Sequence, residues 1–334
     1  MLRILHGTSY DFIRWWRWAA GLTIAFIFIG MASLLHKTPN LSIEFTGGTL
    51  MQLEFVTPPD VAAVRSALDN AGIRGAEIQQ FGTNREFTVR AQDAAHVAQQ
   101  SKGAESIATQ IEAVLKKRFG DTQLKVVRTE AVGPRVGGEL ARGAISAILL
   151  SFLVTLIYLA IRFEWRFGTA ATLATMHDIL TTIAFMKLMN LEISLTVVAG
   201  LLTVIGYSLN DTIIIFDRVR ENLKKGGKAK HVDREVLNRS INETLPRSIL
   251  THTTAFAATL ALLIFAGEVI RPFAWVMAFG IVTGTFSSVY VAAPILLWIE
   301  RKWPRKTGEA RARSASSTAT PTSRTRPSTA TATR

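Results

Sequence analysis

Cysteine is absent from the 334 residues, which excludes disulfides and thiolate metal sites. Charge is scarce as well: 19% of the residues are Asp, Glu, Lys or Arg, against 49% hydrophobic. No GxxxxGK[ST] loop occurs, so ATP hydrolysis is not expected; Gly47-Gly48 and Gly226-Gly227 read as isolated turns. No Ser/His/Asp nucleophile arrangement stands out, and no His/Glu pair has ligand spacing within the apolar runs. The expectation is a protein that is not an enzyme and carries neither a metal nor another cofactor. A net charge of +13 points to nucleic acid or a membrane surface. The long uncharged runs decide for the membrane, where Lys and Arg mark the cytoplasmic side, and no nucleic-acid partner is expected.

A helix needs about 20 apolar residues to cross the hydrocarbon core. Six runs qualify: residues 18–35, 143–161, 167–186, 195–216, 248–267 and 272–299. The first follows Arg14, Trp15, Trp16 and Arg17, an interfacial belt, and reads as a retained anchor because no small-residue cleavage site follows it. Basic residues set the orientation. Arg3, Arg14 and Arg17 precede the first run, and Arg162 and Arg166 lie between the second and third. Nine more lie from Arg218 to Arg247 and nine from Arg301 onward, while the short loops on the other side hold Lys187 and Arg271. Both termini are therefore expected in the cytoplasm of a multi-pass inner-membrane protein. The expected division is 1–36 for the N-terminus and first span, 37–142 for an outer domain, 143–303 for spans two to six with a cytoplasmic loop at 217–247, and 304–334 for a tail. Rich in Ser, Thr, Ala, Pro and Arg, the tail cannot bury a core and reads as disordered; its arginines could touch anionic membrane lipids.

The outer stretch alternates like a strand at 49–55, has helical periodicity at 58–71, and reads as strands at 76–81 and 86–91, a helix at 104–119 and a strand at 124–128. The order βαββαβ is the ferredoxin-like arrangement. The expected fold is thus a polytopic α-helical membrane protein of six transmembrane helices, with a small α+β domain between spans one and two.

An ionisable group inside a span is a functional candidate by default. Asp178 and Asp211 qualify. Asp211 sits in a polar cluster with Gly206, Tyr207, Ser208, Asn210 and Thr212, and either relays protons or hydrogen-bonds a neighbouring helix. His177 and Asp178 are adjacent on a helix, so they are expected not to pair with each other; a structural and a relay role stand equal. Arg247 either snorkels to the interface or, if its helix begins as early as Asn242, lies inside the bundle opposite a carboxylate. Gly280 and Gly284 form a GxxxG pattern for close helix packing, in this bundle or against a partner, and Gly206 is a further packing glycine.

Specific strings carry a resemblance. VGPRVGGEL at 132–140, RFEWR at 162–166, His177-Asp178, GYSLNDTIIIFDRVREN at 206–222 (with Asn210, Asp217 and Arg218) and SINETLPRS at 240–248 are similar to the SecF family of the bacterial protein-export machinery, over about residues 10–303. Where that family usually reads Gly-x-Asp-Phe-x-Gly-Gly, this chain has Ser42-Ile43-Glu44-Phe45-Thr46-Gly47-Gly48: the acid is kept, the first glycine is not. Pro246 replaces a small polar residue and is expected to mark the start of span five, since Pro suits a first helical turn. The resemblance implies membership of the resistance–nodulation–division superfamily and pairing with SecD, a homologous six-span protein. It further implies association with the SecYEG channel and a translocating preprotein, and use of the proton motive force in late steps of export. It ties Asp211 and Arg247 to proton movement. An exporter half for small molecules or lipids, from the same superfamily, is the alternative, and a scaffold that only stabilises the channel is a third.

Overall fold

The computed structural model describes residues 8–36, 38–91, 103–225, 231–267 and 269–304. Beyond Pro304, the tail expected at 304–334 lies outside the described residues. A 3₁₀ turn at Phe12–Trp15 leads into α1 (Trp16–His36). An inserted domain follows: α2 (Ile43–Thr46), β1 (Gly48–Phe55), α3 (Val61–Asn70), β2 (Glu77–Gln80), β3 (Glu86–Ala91), α4 (Gly103–Phe119) and β4 (Leu124–Val132). The chain then forms α5 (Pro134–Arg162), α6 (Trp165–Leu188), α7 (Leu195–Lys225), α8 (Arg234–Phe265) and α9 (Arg271–Ser287). A π-helical segment (Ser288–Ala292) joins α9 to α10 (Ala293–Lys302).

Among the described residues, five helices are long and apolar enough to cross a membrane: α1, α5, α7, α8 and the continuous rod from α9 to α10. The third run is where expectation and structure part. Its helix, α6, has 24 residues, but Arg166, His177, Asp178, Lys187 and five threonines make it less apolar than the others. It is also well enclosed, with Phe167, Ala170, Ala171, Ala174, Thr175 and Asp178 buried as it packs against α1, α7 and α9. Polarity is tolerated where protein, not lipid, surrounds the helix.

A second departure concerns the loop expected at 217–247. It is mostly helix, because α7 continues to Lys225 and α8 begins at Arg234. Asp233 caps α8, its Oδ1 accepting from Val236 N at 2.8 Å. Pro246 therefore lies inside α8, not in a first turn. Having no N–H, it leaves the Asn242 carbonyl without its intrahelical donor.

In the inserted domain the strands form one antiparallel sheet in the order β2-β3-β1-β4. Alternation divides its faces. Met51, Leu53, Phe55, Phe87 and Val89 are buried with Val64 and Leu68 of α3 and Ile111 and Leu115 of α4, each worth about 1.5–3 kcal/mol when fully buried. Gln52, Thr88, Arg90 and Glu130 share the opposite, polar face, which meets the α6–α7 connection at one end of the bundle.

In the bundle, α7 and α9 pack closely. A Cβ at Gly284 would lie 2.9 Å from Ser208 Cβ, and one at Gly280 would lie 2.7 Å from Val204 Cγ1, so only glycine permits this approach. Gly206 has nothing within 4 Å of its Cβ direction and is exposed. It sits two residues from both Val204 and Ser208, on the other side of α7, and packs against nothing among the described residues. Gly30 of α1, which no GxxxG pattern marks, is a packing glycine instead: its Cβ would lie 2.7 Å from Ala184 Cα of α6.

Candidate functional site

The buried stripe of α7 runs through Val197, Leu201, Val204, Ser208, Asp211, Thr212, Ile215 and Val219, following the helical repeat, so it places three polar residues, Ser208, Asp211 and Thr212, in the middle of an apolar face. Asp211 is 2% exposed. Its Oδ1 accepts from Ser248 Oγ of α8 at 2.5 Å. Ser288, at the start of the π segment, and His252 of α8 also act on it. Its Oδ2 is buried with no hydrogen-bond partner among the described residues. Around it, the Thr212 and Ser288 hydroxyls are 2.9 Å apart, His252 Nδ1 lies 2.9 Å from Thr285 Oγ1, and Tyr207 donates to Thr251 O at 3.2 Å. Insertion of an extra residue per turn in a π segment is common at working sites; this one begins at Ser288, beside Asp211, directly after Ser287 of α9, which serves the other carboxylate.

Asp178 is the contrasting case. Its Oδ2 accepts from Ser208 Oγ of α7 and from Ser287 Oγ of α9, the latter at 2.7 Å. Its Oδ1 lies 3.0 Å from His177 Nδ1. The two neighbours do pair, against the expectation from helix spacing, because the imidazole folds back along the helix to the short carboxylate. Asp178 thus has hydrogen-bond partners on both oxygens, from three helices. Asp211 has one oxygen engaged and one unengaged.

Arg247 is exposed. Although α8 begins well before Asn242, the residue facing Asp211 is Ser248, about 100° further round the helix. Arg247 instead lines an open cleft of about 680 Å³ with Ile214, Asp217, Arg218 and Glu243. Asp217 pairs with Arg162 at 3.2 Å, and Arg218 pairs with Glu221 and Glu243, both at 2.6 Å. Asn222 and Arg239 also donate to Glu243, at 2.8 and 2.9 Å, so these charges tie the ends of α7 and α8 together. Asn210 is exposed midway along α7. Sequence reasoning missed Arg166–Glu300, at 2.9 Å with side chains 12% and 2% exposed. The signal was a lone Glu at the end of an apolar rod.

Glu44, Gly47 and Gly48 lie where the inserted domain meets the bundle. Gly47 and Gly48 have φ of +73° and +121°, conformations that suit glycine. Gly137 of α5 comes close beneath them, its Cβ direction 3.0 Å from Gly47 N. Ser42 has φ −68° and ψ 166°, an ordinary extended conformation, so glycine is not required there. Its hydroxyl donates to Glu44 Oε2 at 3.2 Å, and the same oxygen accepts from Leu195 N at 2.6 Å. Among the described residues no group of three His, Asp or Glu is arranged to hold a metal ion.

Glu192, in the α6–α7 connection, is half-buried beside this junction. Burial pushes its carboxyl above the usual range; Arg90 pulls it back, while Glu44, Glu130 and Glu77 push it further up. The folded protein therefore holds this proton more tightly than the unfolded chain. The associated stability is present below the ordinary glutamate value and is lost as pH rises through the raised one. In thermal unfolding, Glu192→Gln should match the parent at about pH 4 and exceed it increasingly toward about pH 8. A difference independent of pH would show that the ionisation of Glu192 is not the cause.

Residues 110–302 match the family model described as protein export membrane protein SecD/SecF, C-terminal, and residues 32–59 match the SecD/SecF GG motif. The chain belongs to the SecD/SecF family. The SecF protein translocase subunit of Gemmatimonas aurantiaca is 65% identical over 93% of this chain and 93% of its own length. That of Vibrio alginolyticus is 39% identical over 89% and 92%. Among solved structures, SecDF of Thermus thermophilus, described as a translocon-associated membrane protein, superposes with a TM-score of 0.76 at 33% identity, covering 90% of this chain and 40% of that one. SecDF in a super-membrane-facing form gives 0.63 at 32% identity, covering 94% and 41%. The chain thus spans about two-fifths of the SecDF chains it matches. It is a membrane protein of protein transport with the SecF subunit's extent, and the SecDF matches support a SecD partner. The GG motif falls on Gly47-Gly48, and the larger match takes in Asp178, Asp211 and Arg247.

Proposed function

We propose that this chain is a proton-driven subunit that works with SecD, at the SecYEG channel, in late steps of preprotein export, with Asp211 as the group that takes and releases the proton. It is not an enzyme in this reading; no covalent step is needed. The observation that carries it is the buried Asp211 Oδ2, which has no partner among the described residues in the middle of a span, beside a carboxylate, Asp178, whose two oxygens are both engaged. The unengaged oxygen is the one able to hold a proton or to meet a partner chain's donor.

The partner's place follows from polarity. Asn210 of α7 and Arg247, Thr251 and Thr254 of α8 are exposed. A charged side chain facing lipid costs a few kcal/mol on insertion scales, and Asn210 and the threonines add polar groups beside Arg247, so this face is covered by the homologous helices of SecD, which brings Arg247 within reach of a carboxylate there. In this reading α6 is the sixth span, enclosed by its neighbours. Both termini are cytoplasmic, and the inserted domain, whose strand order supports the ferredoxin-like class, lies outside the inner membrane. One of the SecDF structures that fit this chain is described as a super-membrane-facing form, which supports a domain that moves against the spans.

The test is reconstitution with SecD and SecYEG in vesicles. Export is stimulated by adding this chain, and a protonophore removes the stimulation. Stimulation that survives the protonophore would instead favour a scaffold.

A further inference from the structure

The helix that carries Asp211 is tied to the inserted domain by a chain of hydrogen bonds. The first turn of α7 leaves backbone N–H groups without intrahelical acceptors. Ser194 Oγ takes Val197 N at 3.3 Å, and Leu195 N is taken by Glu44, 151 residues away in sequence, at 2.6 Å. Glu44 belongs to α2, which runs directly into β1 through Gly47-Gly48. The segment before it is stitched to the α6–α7 connection, Ser42 N donating to Ile193 O at 2.9 Å and Ile193 N to Asn40 O at 2.7 Å. From the sheet side, Arg90 of β3 donates to Leu41 O at 2.6 Å and Thr46 Oγ1 at 2.8 Å. A carboxylate at a helix N-terminus is held by both hydrogen bond and dipole. Asp211 lies 16 positions beyond Leu195, about 24 Å along the same rigid helix.

We infer that Glu44 is a positioning residue that couples α7 to the inserted domain, so that a shift of the Asp211 helix is passed to the sheet through the Glu44–Leu195 bond. The inference rests on the proton-driven reading. It gives the acid of the GG segment a mechanical task, which the two glycines allow by letting the strand leave α2 at a sharp turn.

The chain has no cysteine, so Arg65→Cys on the exposed side of α3 and Leu262→Cys on α8 can be spin-labelled in the full chain, reconstituted with SecD. The measurement is the distance between labels with Asp211 and with Asp211→Asn. With Glu44 in place, Asp211→Asn shifts the distance. Glu44→Ala loses that shift, and Glu44→Gln, whose amide oxygen can still accept from Leu195 N, keeps it. Leu195→Pro removes the donor at a first helical position, where proline is tolerated; it loses the shift too, and serves where Glu44→Ala fails to fold. A full shift in Glu44→Ala or Leu195→Pro would overturn the coupling. A shift absent from the parent pair, before any change at Glu44, would overturn the proton-driven reading itself and the coupling with it.

Discussion

Asp211→Asn should abolish the part of preprotein export that a proton gradient adds, leaving export without a gradient unchanged. The substitution suits the geometry. Asparagine keeps an oxygen to accept from Ser248 Oγ, which lies 2.5 Å from Oδ1, and fills the same volume, so packing against α8 is retained. What it loses is the ability to exchange a proton at Oδ2, the oxygen without a partner among the described residues. One charge crossing 100 mV is worth about 2.3 kcal/mol, about fiftyfold in an equilibrium. That bias per proton is what the variant forfeits. Asp178→Asn is the control. Its Oδ2 receives two serine hydroxyls and its Oδ1 faces His177, so an amide there disturbs a satisfied cluster and should lower thermal stability more than gradient dependence. Initial export rates in vesicles, with and without an imposed gradient, check both. Full stimulation in Asp211→Asn would remove Asp211 from the relay; loss confined to Asp178→Asn would exchange the two roles.

The sequence carried Asp211 because a lone acid inside an apolar helical stripe must be enclosed, and the stripe at three- and four-residue spacing is written in α7. The inserted domain was legible for a similar reason: alternation at β1 and β3 and the periodicity of α3 and α4 state which faces are buried. What was not legible depends on partners distant in the chain. Nothing near Glu44 indicates that its carboxylate caps a helix 151 residues later, and nothing near Gly30 indicates that Ala184 lies against it. Pro246 looks like a first-turn proline in the sequence because the true start of α8, the Asp233 cap, lies within a charged stretch that resembles a loop. His177 and Asp178 show the limit of spacing rules, since side-chain rotation brought neighbours together. Arg247 lines a cleft that does not include Asp211, because Ser248, one residue on, takes the inward face of α8.

Gly280→Leu should strongly destabilise the bundle. Even a Cβ at this position would lie 2.7 Å from Val204 Cγ1, and Val204, β-branched and held at one χ1 rotamer in a helix, is 2% exposed and has no room to rotate away. The helices must therefore separate. Overpacking of this kind costs about 1–3 kcal/mol or more, and no hydrophobic force between helices in lipid offsets it. The damage extends to the site. Four residues along α9, Gly284 presses on Ser208, and Ser208, Ser287 and Ser288 hold Asp178 and flank Asp211. Separating α7 from α9 at Gly280 opens those hydroxyl contacts as well. Gly280→Ala should show the same effect more weakly, and adding Val204→Ala should restore much of it, because the clash lies in the valine methyls. Melting of the purified chain in detergent, set out as a double-mutant cycle, reads the coupling. Additive losses from Gly280→Ala and Val204→Ala would mean that the two helices do not meet there. Rescue of stability together with gradient-driven export would show that the close α7–α9 approach positions the carboxylates as well as holding the fold.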